Sequence, residues 1–416
     1  MVAGASYTLQ QPAPVDSDLK LLLPATDAPN PEFSIVIPAL NEEITIGRFV
    51  EWCKEGIAAA GIEAEILIID SSSDRTAEIA VAHGARVLKT PKRGLGRAYI
   101  DAIPYIRGRY IIMGDADCTY DFRQISGFVA SFRAGYEFIM GSRFAGSIEE
   151  GAMPALHRYF GTPLTTFILN FVYQTKFGDI HCGMRGLTKD ALQRIVLTSQ
   201  GWEYASEMIV KSYHLRLKTA EVPVRFLKDQ KGRISHLKRS GWITPWRAGW
   251  HTLKIIFVYG SERAILPISL ALSIPALLVL LLLSAGPVQI YGVTLTSHTM
   301  MFASTGLILG LVLAGISILS TCINDRIGNH IEYWGGKFQF TWSMIVWLFL
   351  FAVGSILCCL FLIRFIAAGF VLNSDTALFG NLSILGMTMI VVSFLGAGFT
   401  ILIQALVDRI RVSERR

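Results

Sequence analysis

The sequence has few charged residues, and long stretches of it have none. Charged side chains make up 17% of the 416 residues, whereas about a quarter is usual in soluble domains. Residues 264–324 contain no Asp, Glu, Lys or Arg, and residues 339–406 contain only Arg364 and Asp375. A bilayer span needs roughly 20 apolar residues, and these tracts predict four, at about 264–285, 300–322, 343–364 and 383–406. An ordinary soluble protein is thereby excluded.

Several motifs that identify other protein classes are also missing. The six cysteines show no CxxC spacing, and in a cytoplasmic or membrane-buried setting they are expected to be reduced and structural. The stretch GLGRAY at 94–99 lacks the last glycine of the dinucleotide-binding fingerprint, and no P-loop motif occurs. A bound nucleotide must therefore be held by another arrangement.

Positive charge is concentrated beside the predicted spans. Cations are frequent in residues 228–263, in the loop between the second and third spans, and in the tail. The other two loops between spans contain no Lys or Arg. The positive-inside rule therefore predicts that both termini and the amino-terminal half lie in the cytoplasm, at the inner or plasma membrane. The net charge of +6 mostly reflects this belt, and no nucleic-acid partner is expected.

The amino-terminal half alternates short apolar runs with helical stretches. The runs SIVIPA, EILIID, ARVLK, YIIMGD and EFIMGS are typical of strands. Fully apolar strands interleaved with helices predict an α/β fold with a mostly parallel sheet covered on both faces. The expected organisation is a disordered lead (1–31), this α/β domain (32–240), an amphipathic interfacial helix region with three tryptophans four apart (241–262), an all-α domain of four transmembrane helices (263–408) and a basic tail (409–416).

Polar residues follow the predicted strands at the edge where such sheets bind ligands. PALNEE follows the first strand, Asp70 ends the second, and Asp115 and Asp117 follow the fourth. Residues two apart in an extended segment point to the same side, so the two aspartates can face one ion. Magnesium typically takes one or two protein carboxylates, and substrate phosphates and water complete its shell. This pair therefore predicts a site for a metal-bound diphosphate.

The ordered motifs SIVIPALNEE, IIDSSSDRT, GDADCTYDF and GSRF resemble the inverting family 2 glycosyltransferases, which have a Rossmann-like GT-A fold. GAMPALHRYFG, DIHCGMRG and EYASEMIVK are similar to dolichyl-phosphate mannose synthase and to bacterial polyprenyl-phosphate glycosyltransferases of the dolichol-phosphate-glucose-synthase-like branch. This resemblance spans about residues 33–260. It implies transfer of a hexose from UDP-glucose or GDP-mannose to undecaprenyl or dolichyl phosphate, with Mg²⁺ or Mn²⁺ as cofactor and a polyprenyl-phosphate-hexose as product.

The resemblance also implies roles for particular residues. The nucleotide-sugar site would comprise Pro38, Ala39, Asn41, Glu42, Asp70, Lys92, Gly94, Asp115, Ala116 and Arg233. The metal would be held by Asp115, Asp117 and Thr119, although the mannose synthases carry an amide where Thr119 stands. The acceptor phosphate would bind Arg143, His157, Arg158 and Arg185, and Asp115, Asp117 and Arg143 would form the catalytic group.

Some assignments in this half have alternatives. Arg143 and Arg158 flank a loop, residues 145–154, that is expected to be mobile. The guanidinium of Arg143 can instead form an ion pair with Asp117 or Glu149. Glu207 is expected to position the sugar or the acceptor loop, because a phosphate acceptor has a second pKa of about 6 and needs no general base. His181, beside Cys182, is expected to pack or to form hydrogen bonds rather than to bind a metal.

Two other functions remain as alternatives. A processive polysaccharide or glycolipid synthase would carry a Q-x-x-R-W motif before its spans, and PWRAGW has no such Gln. A catalytically inactive membrane scaffold is disfavoured because the Asp115–Asp117 pair is intact. The GLILG motif at 306–310 is of a kind that joins transmembrane helices, so a homo-oligomer is possible.

Overall fold

The computed structural model describes residues 18–25, 27, 29–230, 232, 250, 254, 257–258, 260–325, 329–371 and 374–414. The chain divides into two compact units, Met1–Ile255 and Ile256–Arg416. The first 17 residues of the expected lead, Arg233, and Trp242 and Trp246 of the expected interfacial helix lie outside the described residues.

An eight-stranded sheet forms the centre of the first unit. Its strands are β1 (Lys20–Leu22), β2 (Phe33–Ala39), β3 (Ala64–Asp70), β4 (Arg86–Lys89), β5 (Tyr110–Met113), β6 (Phe138–Ile148), β7 (Arg185–Thr188) and β8 (Thr219–Phe226). Their order is β1-β4-β3-β2-β5-β7-β6-β8. Strands β2 to β5 run parallel, as do β6 and β8, whereas β1 and β7 are antiparallel to their neighbours. The predicted α/β fold with a mostly parallel sheet is confirmed.

Seven helices of the described part of this unit surround the sheet. They are α1 (Ile46–Ala60), α2 (Thr76–Ala82), α3 (Leu95–Ala102), α4 (Ser126–Arg133), α5 (Thr162–Tyr173), α6 (Lys189–Ile195) and α7 (Tyr204–His214). Phe33, Ile35 and Ile37 of β2 are fully buried in one cluster with Phe49 of α1 and Phe122. The central strands are mostly apolar because helices cover both faces of the sheet.

The structure corrects two expectations about irregular segments. The lead was expected to be disordered as far as residue 31, but Lys20–Leu22 form β1 and pair with β4, Lys20 opposite Lys89. In the loop 145–154, which was expected to be mobile, residues 145–148 belong to β6, and Ser147 and Ile148 pair with β8 beyond an irregularity. Both segments gain order from backbone hydrogen bonds to a distant strand, which local composition does not reveal.

The second unit is mostly helical. Its elements are α8 (Ser261–Ala264), α9 (Leu266–Ser284), a hairpin of β9 (Val288–Ile290) and β10 (Val293–Leu295), α10 (Ser297–Asn324), α11 (Asn329–Lys337), α12 (Phe340–Ala367) and α13 (Ser374–Glu414). Four stretches are long and apolar enough to cross a membrane: Ser261–Ser284, Ser297–Asn324, Phe340–Ala367 and Leu378–Arg409. They coincide with the four predicted spans. Helix α13 continues to Glu414, through most of the expected tail.

Glycines allow close helix contacts within this unit. A Cβ atom on Gly310 would lie 2.1 Å from Ser273 Oγ, and one on Gly306 would lie 3.5 Å from Ala276 Cβ. Both glycines of the GLILG motif therefore face α9 of the same chain. The motif therefore takes part in a contact within the chain.

Candidate active site

The polar strand ends lie along one edge of the sheet. Strands β3, β2 and β5 are adjacent and parallel, and Ala39 is opposite Asp70 in the register. The loop after β2, the end of β3 and the turn after β5 are consequently neighbours at this edge. The sheet thus brings together the three polar clusters that the sequence places at the carboxyl ends of the strands.

Asn41 and Glu42 connect the loops that follow β2 and β3. Asn41, with φ 52°, donates its backbone N–H to Ser72 Oγ at 2.7 Å, and its Oδ1 accepts from the Ser73 backbone N–H at 3.0 Å. Glu42 is buried, donates its backbone N–H to Thr76 Oγ1 at 2.8 Å and accepts at Oε2 from Thr45. These hydrogen bonds hold the two loops together at the carboxyl ends of β2 and β3.

Asp70 has a buried carboxylate oxygen without a hydrogen-bond donor. Its Oδ1 accepts from the Ser72 backbone N–H at 3.2 Å. Its Oδ2 receives no hydrogen bond from any described residue, and Lys89 Nζ lies 3.7 Å from it. Burial raises the pKa of Asp70, although the Ser72 hydrogen bonds oppose this effect. A buried acceptor is costly unless it is paired, so this oxygen is suited to an N–H group of a ligand.

Gly94 permits a close contact at the start of α3. It has φ 115°, and a Cβ atom there would lie 2.3 Å from the Gln200 carbonyl oxygen. Tyr99, on the same helix, donates from its hydroxyl to the Gly114 carbonyl oxygen at 3.2 Å, directly before Asp115. Helix α3 therefore links the loop at residue 200 to the aspartate turn. Lys92 is exposed in the segment before this helix.

Asp115 and Asp117 lie in a turn rather than in an extended segment. Strand β5 ends at Met113, and Cys118 has φ 58°. Both aspartates are half-buried, whereas Ala116 between them is buried. A Cβ atom on Gly183 would lie 2.5 Å from Asp115 Oδ2, so the glycine provides the space for this carboxylate. The argument from strand alternation is thus wrong here, because the turn sets the direction of both side chains.

Thr119 supports Asp117. Its backbone N–H and its hydroxyl donate to Asp117 Oδ1 at 3.0 Å and 2.6 Å. Thr119 is 6% exposed, and its hydroxyl proton is directed at the carboxylate. The threonine therefore orients a carboxylate oxygen, whereas the sequence assigns it to the metal itself.

The carboxylates of Asp115 and Asp117 suit a cation whose remaining coordination positions are filled by the substrate. No group of three or more His, Cys, Asp or Glu side chains suited to a metal occurs among the described residues. Mg²⁺ is commonly bound by one or two carboxylates together with substrate phosphates and water. The oxygen donors of Asp115 and Asp117 meet that requirement.

Arg143 forms a buried ion pair with Asp179. Its Nε and Nη2 atoms donate to Asp179 Oδ2 and Oδ1 at 2.6 Å and 2.8 Å, and its backbone N–H also donates to Oδ2. Neither Asp117 nor Glu149, the alternatives from the sequence, is this partner. Asp179 thus binds two of the three guanidinium nitrogens, Nε and Nη2, and the expected contact of Arg143 with the acceptor phosphate stays a prediction. Sequence reasoning missed Asp179, since nothing local to DIHCG indicates a partner 36 residues earlier.

Arg185 is also engaged by the protein. It is 1% exposed, and its Nε and Nη2 atoms donate to the carbonyl oxygens of Cys182 and Ile180, both at 3.1 Å. Its Nη1 donates to the Ala205 carbonyl oxygen. The expected contact with acceptor phosphate is corrected, because this side chain ties the segment before β7 to α7.

Two acceptor-side candidates and His181 lie around the start of α5. His157 and Arg158 lie half-exposed in a π-helical turn, His157–Gly161, and the Arg158 guanidinium stacks on Tyr159 at 5.5 Å. Burial lowers the pKa of His181 to about 4, and its Nε2 contacts Thr165 Oγ1 at 2.8 Å. The predicted hydrogen-bonding role of His181 is confirmed.

Glu207 holds the loop before α7. It is fully buried and accepts from the Thr198 hydroxyl and backbone N–H at 2.6 Å and 3.0 Å and from the Ser199 backbone N–H at 2.8 Å. It also forms an ion pair with Lys211. Burial raises the pKa of Glu207, but the hydrogen bonds from Lys211 and Thr198 lower it on balance. Sequence reasoning missed Lys211, although its i,i+4 spacing from Glu207 was a usable signal.

Comparison with known proteins identifies related sequences. Residues 34–196 match the model of Glycosyl transferase family 2. The low-salt glycan biosynthesis hexosyltransferase Agl6 of Haloferax volcanii is 34% identical over 309 residues, 74% of this chain and 73% of the relative. A dolichyl-phosphate hexose transferase of the same organism is 27% identical over 47% of this chain and 82% of its own length.

Solved structures resemble about half of the chain. Glucosyl-3-phosphoglycerate synthase of Mycobacterium tuberculosis, in complex with Mn²⁺ and UDP-glucose, has a TM-score of 0.42 at 18% identity and covers 54% of this chain and 79% of its own. Mannosyl-3-phosphoglycerate synthase of Rubrobacter xylanophilus has a TM-score of 0.42 at 21% identity and covers 56% of this chain and 74% of its own.

Proposed function

Because this chain belongs to glycosyl transferase family 2, we propose that it transfers a hexose, with inversion, from a nucleotide diphosphate sugar to polyprenyl phosphate in a membrane. The observation that carries this proposal is the turn of Asp115 and Asp117 at the same sheet edge as Asp70, in a chain with four candidate spans. The name of the dolichyl-phosphate hexose transferase supports a lipid phosphate acceptor.

The donor would lie across the strand ends. Asp70 Oδ2 would accept an N–H of the base, which both uracil and guanine possess, so UDP-glucose and GDP-mannose both fit. The loops held by Asn41 and Glu42 would enclose the nucleotide. Asp115 and Asp117 would hold Mg²⁺ or Mn²⁺, which when bound supplies positive charge to the departing diphosphate.

The reaction requires no proton acceptor from the protein. An oxygen of the lipid phosphate attacks the anomeric carbon, the bond from that carbon to the diphosphate breaks, and the nucleoside diphosphate leaves with the electron pair. The acceptor, with a second pKa of about 6, is mostly ionised at neutral pH. Glu207 is consistent with a reaction that needs no general base, because its carboxylate is bound by Thr198, Ser199 and Lys211. We infer that Glu207 positions the loop at the donor site.

The acceptor phosphate is assigned to His157 and Arg158. They are the half-exposed members of the four residues that the sequence suggested, whereas Arg143 and Arg185 are buried. A guanidinium group is well suited to a phosphate monoester. The distribution of Lys and Arg around the spans supports catalysis on the cytoplasmic side.

The test is transfer of labelled hexose in membranes that contain the full chain. With UDP-glucose or GDP-mannose and polyprenyl phosphate, the proposal predicts a metal-dependent, acid-labile glycolipid. Asp117→Ala should remove it, whereas Asp190→Ala, at an exposed aspartate on α6, should not. Full metal-dependent transfer by Asp117→Ala would contradict the assignment.

A further inference from the structure

A short segment ahead of the catalytic fold runs along β4. We call this segment, residues 18–25, the strap. It contains β1, which pairs with β4 in antiparallel register and forms the margin of the sheet. None of the candidate site residues lies in the strap, so the reaction itself does not account for its presence.

The strap begins beside the carboxyl end of β4, where the donor is expected to bind. Lys20 is opposite Lys89, and Lys89 is opposite Asp70 on the other side of β4. The three residues thus form one row across three adjacent strands, and Lys89 Nζ lies 3.7 Å from Asp70 Oδ2. Because neighbouring strands are about 4.8 Å apart, the backbone of the strap is two strand spacings from the oxygen assigned to the base.

The segment after β4, residues 90–94, contains the candidate donor residues Lys92 and Gly94. Its start is tied to β3, because the Thr90 backbone N–H donates to the Asp70 carbonyl oxygen at 2.8 Å. Its end packs against the loop before α7, since a Cβ atom on Gly94 would lie 2.3 Å from a carbonyl oxygen there. Lys92 is exposed between these two attachments.

The strap supplies a further attachment of this segment, next to Lys92. Asp18 Oδ2 accepts from Arg93 Nη2 at 2.8 Å, and Arg93 directly follows Lys92. The backbone of Asp18 is held in place because β1 begins two residues later. The side chains of Asp18 and Arg93 are 57% and 32% exposed, so salt screens their attraction.

We propose that the strap is a positioning element of the donor site. The ion pair of Asp18 and Arg93 holds residues 90–94 in the conformation that receives the nucleotide, and it acts through Lys92 and Gly94. A loop that is already ordered binds more tightly, because less conformational entropy is lost on binding. The inference rests on the proposed function, since the ligand is the nucleotide diphosphate sugar of that reaction.

Kinetics of the full chain in membranes separate positioning from catalysis. Asp18→Ala should raise the KM for the nucleotide sugar about two- to fivefold, as expected for an exposed ion pair. Its kcat and its KM for polyprenyl phosphate should stay unchanged. Arg93→Ala and the double variant should have the same donor KM as Asp18→Ala, because all three lack one shared interaction. Asp18→Glu should restore the wild-type value, and about 1 M salt should remove the difference between Asp18→Ala and the wild type.

The matched control is Asp27→Ala, which removes a similar ion pair away from the donor site. Asp27 Oδ2 lies 2.8 Å from Arg107 Nη1, and the Arg107 backbone N–H donates to Glu65 near the start of β3. This variant should leave the donor KM unchanged. Equal increases in KM for Asp18→Ala and Asp27→Ala would show general loosening and overturn the proposal, as would an unchanged KM in Asp18→Ala.

A binding measurement distinguishes failure of this inference from failure of the proposed function. If no transfer occurs with any donor, the proposed function fails, while titration of the full chain with UDP and GDP in the presence of Mn²⁺ still tests the strap. Asp18→Ala should then weaken nucleotide affinity two- to fivefold, and Asp27→Ala should not. Equal nucleotide affinities of the wild type and Asp18→Ala would overturn the positioning role.

Discussion

At the residue scale, Thr119 offers a direct test of the aspartate turn. Thr119→Val removes the hydroxyl that donates to Asp117 Oδ1 at 2.6 Å while conserving the shape of the side chain. Loss of such a supporting hydrogen bond typically lowers metal affinity or activity about 10- to 100-fold. We expect the Mg²⁺ or Mn²⁺ concentration for half-maximal transfer to rise within this range, and Thr119→Ser to restore it. An unchanged metal requirement in Thr119→Val would show that this hydrogen bond is dispensable.

Arg143 should matter for stability rather than for acceptor affinity. Removal of one partner of a buried ion pair typically costs about 3–5 kcal/mol, because the remaining charge stays buried. Arg143→Met should therefore destabilise the domain by about this amount, as measured by denaturation in detergent. Arg143→Met combined with Asp179→Leu should recover part of the loss. A stable Arg143→Met protein with weakened acceptor binding would restore the phosphate assignment.

The site illustrates what a sequence can predict about individual residues. Asp70, Asp115 and Asp117 could be located because each follows an apolar strand, and the sheet order brings them to one edge. The roles of Arg143 and Arg185 could not be predicted, because a buried guanidinium and an exposed one look alike in a motif. Their roles depend on partners such as Asp179 that only the folded chain brings near.

At the scale of elements, apolar runs predicted the central strands and missed those at the margins. Strands β2 to β6 begin with or contain continuous apolar runs, because helices cover both faces of the central sheet. Strand β8, by contrast, reads TAEVPVRF and has exposed positions. Strand β1 has only three residues. Their pairing comes from the neighbouring strand, so local hydrophobicity carries little information about them.

Two glycines should determine how α12 and α13 pack. A Cβ atom on Gly386 would lie 2.6 Å from the Gly354 carbonyl oxygen, whereas one on Gly398, also on α13, has no atom within 4 Å. Overpacking a close contact typically costs about 1–3 kcal/mol. Gly386→Ile should therefore lower the thermal denaturation midpoint in detergent, and Gly398→Ile should change it little. Equal midpoints would contradict this view of the helix pair.

At the scale of the whole molecule, charge predicts the orientation of the spans. The loop that carries the β9–β10 hairpin has no Lys or Arg, and Tyr291 at its tip is fully exposed. We expect Tyr291→Cys, in intact cells and with Cys358 and Cys359 replaced, to react with a membrane-impermeant maleimide. Glu78→Cys in the catalytic domain should react only after permeabilisation. The reverse pattern would place the catalytic domain outside the cytoplasm.

The strand β1 has a consequence for shortened forms of the chain. Its residues Lys20–Leu22 pair with Lys89–Val87 of β4, so the far side of β4 is occupied. A protein that begins at Phe33, where the family resemblance begins, would retain every candidate site residue but would expose the backbone N–H and C=O groups of β4. Open strand edges pair readily with other chains. We expect such a shortened protein to associate through β4 more readily than the full chain does.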